Sequence, residues 1–77
     1  MKKDTSIIFG KVLKILREER NLSQEQLANK STLDRTYISL LERGLRQPTL
    51  NTLFLLSSAL NIKPTCLVEK VYNEVSQ

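Results

Sequence analysis

Arg35, Thr36, Ser39 and Leu40 fall within six residues of one another, at spacings that bring them to one side of a helix. An arginine fork can bond guanine O6 and N7, hydroxyls can bond base edges or phosphate, and an exposed leucine can pack on a thymine methyl. Around them stand Gln24, Tyr37, Arg43, Arg46 and Gln47, all able to bond phosphate oxygens. Ile38 and Leu41 repeat on the opposite side, with Leu45 continuing their stripe, so the polar set is expected to face outward. An ordinary solvated face would carry Lys and Glu instead. This layout suits a helix lying in the DNA major groove.

The elements needed to hold that helix are legible along the chain. A first helix over about 6–20 carries Phe9, Leu13 and Leu16 on one stripe, and Asn21 follows it. Ser23 and Gln26 form an S-x-x-Q capping box opening a second helix that ends near Lys30 or Ser31. Asp34 is expected to cap the third helix, which stops at Gly44. Thr49 caps a fourth reaching Leu60 and ending at Asn61, and Pro64 opens a fifth. Arg17 and Glu42 flank core positions on the first and third helices. A partly buried ion pair between them would fix the angle of the recognition helix, with Arg17 also within reach of a phosphate. No stretch alternates apolar and polar residues over strand length, so the fold class is all-α.

Composition bounds the function. Seventy-seven residues make one small domain whose core is only just sufficient. Its net charge of +4 favours polyanions, but residues 23–48 carry only +1, so a DNA-binding face must come from geometry. With no histidine and a single cysteine, Cys66, an intrachain disulfide and a thiolate zinc cage are excluded and the usual general base is absent. No catalytic set, metal site, cofactor or small-molecule substrate is expected. No apolar run nears membrane-spanning length and no signal-peptide pattern is present, so a cytoplasmic protein without membrane contact is expected. Cys66 reads as a small buried or half-buried filler.

The fifth helix, over 64–76, points to a partner. Val68, Val71, Tyr72 and Val75 form a stripe with Leu67 beside it. The first four helices largely fill a core of this size, so this second apolar face is expected to form a two-fold interface, although it could also fold back on its own domain. Two-fold pairing would set the recognition helices about 34 Å apart, one turn of DNA.

The run Phe9–Leu60 resembles the lambda-repressor-like, XRE-type helix-turn-helix family. Gly10, Leu13, Arg17, Leu22–Ala28, Ile38-Ser39, Glu42-Arg43-Gly44 and Pro48-Thr49-Leu50 carry the likeness. With Leu33–Ser39, Arg46 and the short chain, it looks like the controller proteins of restriction–modification systems. The resemblance implies a compact five-helix DNA-binding domain with helices 2 and 3 as the helix-turn-helix, its DNA-binding core over 6–60. It further implies a homodimer on a near-palindromic double-stranded operator, regulating its own gene and a nuclease gene. Its base-reading positions fall on Arg35, Thr36, Ser39 and Leu40, and its phosphate contacts on Gln24, Tyr37, Arg43, Arg46 and Gln47.

Four positions depart from the pattern. Thr32 stands where Gly or Asn is usual, so either the turn differs or a β-branched residue bears strain. Val12 and Ile15 are apolar where polar groups are common, most simply as a wider core stripe. Leu40 is bulky, so the preferred operator is expected to differ from those of relatives. Contact with RNA polymerase would fall on helices 3 and 4, where no residue marks it. An antitoxin-type or phage-type repressor, binding its own operator and a protein partner, is the alternative. Antitoxins are expected to add a toxin-binding tail and phage repressors a second domain, and a chain ending at Gln77 favours the controller reading.

Overall fold

The computed structural model describes residues 4–76. Five helices follow in order, α1 over Thr5–Glu19, α2 over Gln24–Ser31, α3 over Arg35–Glu42, α4 over Leu50–Ala59 and α5 over Pro64–Val75. Among the described residues there is no strand, and the chain is all-α as its periodicity indicates.

Local chemistry sets each boundary. Asp4 caps α1 by accepting from the Ser6 amide at 2.9 Å. At α2 both halves of the capping box form: Gln26 N–H donates to Ser23 Oγ at 3.0 Å, and Ser23 N–H donates to Gln26 Oε1 at 2.8 Å. Thr49 Oγ1 accepts from the Thr52 amide at 3.0 Å and caps α4. Pro64 opens α5, where a missing amide removes no intrahelical bond. Asp34 occupies the N-cap of α3, but its carboxylate makes no capping bond, contrary to the sequence expectation. The carbonyl alone engages the helix there, accepting from Ile38 N–H.

Left-handed residues turn the chain between helices: Asn21, Thr32, Gly44 and Asn61 all have positive φ. Thr32, at φ 61° and ψ 24°, is the turn of the helix-turn-helix. The usual turn geometry is therefore kept, and a β-branched residue carries its strain.

Phe9, Val12, Leu13 and Leu16 from α1 meet Leu27, Ile38, Leu41, Leu56, Leu60, Leu67 and Val71 in one core. Gly10 brings α1 onto the end of α3. A Cβ there would land against the backbone carbonyl oxygens of Leu41 and Glu42, so only glycine permits this approach. Three expectations are corrected. Leu45 is 59% exposed because Gly44, at φ 76°, ends the helical phase before it. Val12 joins the core but Ile15 stays exposed, so the α1 stripe widens on one side only. Cys66 is exposed, since Leu67 and Val71 define the inward side of α5.

Candidate nucleic-acid interface

Burial of Ile38 and Leu41 at zero exposure fixes the rotation of α3 and leaves its other side open. Arg35 and Thr36 are exposed at its first turn, and Ser39 and Leu40, one turn on, are half-buried. Arg43 caps the helix, and Arg46 and Gln47 stand exposed in the loop that follows. Among the described residues no carboxylate pairs with Arg35, Arg43 or Arg46. Three unpaired guanidiniums thus follow one short stretch of chain, a local positive surface that the net charge of the region does not reveal.

Behind this surface lies the ion pair expected from the sequence. Arg17 Nε donates to Glu42 Oε2 at 2.6 Å and Nη2 to Glu42 Oε1 at 3.0 Å, a fork-to-fork pair. Arg17 Nη1 also donates to the Leu22 carbonyl at 2.7 Å. The two side chains are 10% and 3% exposed. Hydrogen bonding to Glu42 raises the Arg17 guanidinium above its ordinary value against the opposing effect of burial, so it stays charged. The pair joins α1, the loop before α2 and the end of α3, and so sets the tilt of the exposed face.

Gln24, first residue of α2, is half-buried, and its Nε2 donates to Glu42 Oε1 at 3.0 Å. No local pattern signals this bond, because Gln24 and Glu42 are eighteen residues apart. Tyr37, expected to reach phosphate through its hydroxyl, is half-buried with that hydroxyl 3.2 Å from Thr52 Oγ1. Thr52 Oγ1 lies 2.9 Å from Thr49 Oγ1, so the tyrosine braces α3 against the start of α4.

The apolar set on α5 divides. Leu67 and Val71 are buried in the core of their own domain, against the expectation that they meet a partner, and Val75 is half-buried. Val68 and Tyr72 remain outside, 48% and 65% exposed. Leu50 and Phe54 on α4 are also exposed, a feature sequence reading missed. Phe54, Ile62 and Pro64 line one shallow cavity where α4 turns into α5, and Val68 sits one turn beyond Pro64. Among the described residues there is no cluster of groups able to hold a metal ion, and no helix long and apolar enough to cross a membrane.

This arrangement of α2, a left-handed turn and an α3 with one open polar face is a helix-turn-helix. The sequence profile described as helix-turn-helix matches residues 13–65, and the chain belongs to that XRE-type family of DNA-binding transcription regulators. Within the family it is similar to restriction–modification controller proteins. It is 40% identical over 70 residues to the control protein C.BamHI of Bacillus amyloliquefaciens, covering 90% of this chain and 86% of the relative. The crystal structure of the controller protein C.AhdI from Aeromonas hydrophila matches 79% of this chain and 92% of its own, with a TM-score of 0.77 and 44% identity. The controller protein C.Esp1396I, solved as a tetramer in complex with its natural 35-base-pair operator, matches 99% of this chain and 100% of its own. There the TM-score is 0.87 and the identity 34%.

Proposed function

We propose that the chain is a restriction–modification controller that binds a near-palindromic DNA operator as a homodimer and regulates transcription from it in the cytoplasm. The observation that carries this reading is the open face of α3, where Arg35, Thr36, Ser39 and Leu40 line one side of a helix whose other side is locked in the core. Arg35, unpaired and at the first turn, reads guanine through O6 and N7; Thr36 and Ser39 bond base edges, and Leu40 packs on a thymine methyl. Gln24, Arg43, Arg46 and Gln47 hold the phosphates on either side and fix register, while the tethered Tyr37 hydroxyl serves mainly as a brace. The Gln24 and Glu25 amides, ahead of the capped Gln26 amide, have no partner within α2 and add to the anion site beside Gln24.

The two-fold face follows from what α5 leaves uncovered. Val68 and Tyr72, with Phe54 at the α4–α5 corner, form the interface in place of the wider stripe that included Leu67, Val71 and Val75. Similarity to a controller protein solved as a tetramer on its operator supports self-association. Titration of Arg35→Ala against the selected operator and a shuffled duplex tests the reading. The operator should lose about 1–3 kcal/mol, and discrimination should relax at one base pair per half-site. Equal losses on both duplexes would make Arg35 a backbone anchor and refute the base-reading role.

A further inference from the structure

Glu42 is almost closed to solvent, yet its carboxylate accepts three hydrogen bonds, two from Arg17 and one from Gln24 Nε2. The Arg17 bonds account for the fold. The Gln24 bond does something else, because Gln24 opens α2, ahead of the amide of Gln26 that Ser23 caps. A carboxylate paired with a guanidinium accepts and does not donate, whereas the two ends of a glutamine amide differ, one donating and one accepting. Turning the Gln24 amide over would set its carbonyl oxygen against Glu42. The carboxylate therefore dictates which way the amide lies, and leaves the second Nε2 hydrogen as a donor of fixed direction.

We propose that Glu42 is a positioning residue for Gln24, holding its amide in the phosphate-binding orientation before DNA arrives. This rests on the reading that Gln24 binds a phosphate. A glutamine side chain free in solvent must be ordered on binding, at a cost in affinity; one already bonded to a buried carboxylate avoids most of that cost. The same bond ties the α2 contact to the end of α3, so that backbone clamp and base-reading helix meet the duplex in one register.

The test is a cycle of four proteins, wild type, Gln24→Ala, Glu42→Gln and the double variant, titrated on the selected operator duplex. Gln24→Ala should weaken binding about tenfold, the weight of one hydrogen bond to a charged group. Glu42→Gln keeps the side-chain shape and one bond from Arg17, but lets the Gln24 amide turn over. It should cost about three- to fivefold alone and nothing further in the Gln24→Ala background. Equal losses from Glu42→Gln in both backgrounds, or no loss in either, would overturn the positioning role. An unchanged affinity for Gln24→Ala would instead overturn the phosphate reading on which it rests. Nuclear magnetic resonance of the free wild-type protein gives a second readout independent of variant folding. The Gln24 side-chain amide should be as ordered as the backbone, and the averaged signals of a freely rotating glutamine would contradict the proposal.

Discussion

Removing Arg17 should cost this domain a large share of its stability. Arg17→Ala deletes three hydrogen bonds and leaves Glu42, with a side chain only 3% exposed, as an uncompensated carboxylate. Breaking one side of such a pair costs about 3–5 kcal/mol, and we take the lower end, since Arg17 itself reaches solvent at one edge. A chain of this length holds on the order of 4–12 kcal/mol in total, so a quarter or more of the stability is lost. At roughly 4–8 °C per kcal/mol, the midpoint should fall by about 12–24 °C. Urea titration followed by helical circular dichroism gives the first number and a thermal scan the second. Arg17→Met with Glu42→Leu should recover most of the loss, because replacing both charges by apolar groups of similar volume removes the stranded carboxylate. A single variant within 1 kcal/mol of wild type, or a double variant no better than the single, would refute the claim that the penalty lies in the unpaired charge.

The other predictions separate strain, packing and assembly. Thr32→Asn should stabilise the domain by about 0.5–1 kcal/mol, because asparagine tolerates the left-handed conformation that Thr32 adopts; a lower midpoint would show that the threonine is not strained. Tyr72→Asp should leave the helical spectrum intact while shifting sedimentation to the monomer and abolishing operator binding at low concentration, and a surviving dimer would place the interface elsewhere. Val71→Asp, one residue away but inside the core, should cost at least about 3 kcal/mol and lose the fold itself; a folded variant would contradict the division of α5 described above.

Local chemistry explains why most of the fold could be read from residues alone. Ser23 with Gln26, Thr49, Pro64 and the left-handed Asn21 and Asn61 each act within a few positions, so the helix ends follow from neighbours in sequence. Periodicity likewise placed Ile38 and Leu41 inward and thereby opened the candidate face of α3. It failed at Leu45 because Gly44 resets the helical phase, and a repeat of seven residues has no meaning across such a break. Helix α5 was ambiguous for another reason. Its apolar stripe is wider than the core can cover, and only tertiary packing decides that Leu67 and Val71 turn inward while Val68 and Tyr72 do not. Helix α4 buries Thr52 and Ser57 beside Leu56 while Leu50 and Phe54 stay outside, so residue polarity did not mark its inward face. The bonds of Gln24 to Glu42 and of Tyr37 to Thr52 join residues with no sequence relation, and they come only with the docking of α2, α3 and α4.

The central claim is that α3 reads base edges and that two copies of it do so about one turn apart. Selection from a library of random duplexes, at fixed salt, tests both parts at once. The account predicts enrichment of a two-fold symmetric site whose half-sites contain guanine and lie about 10 base pairs apart centre to centre. Bound duplexes no different in sequence from the starting pool, or an enriched site without symmetry, would contradict it.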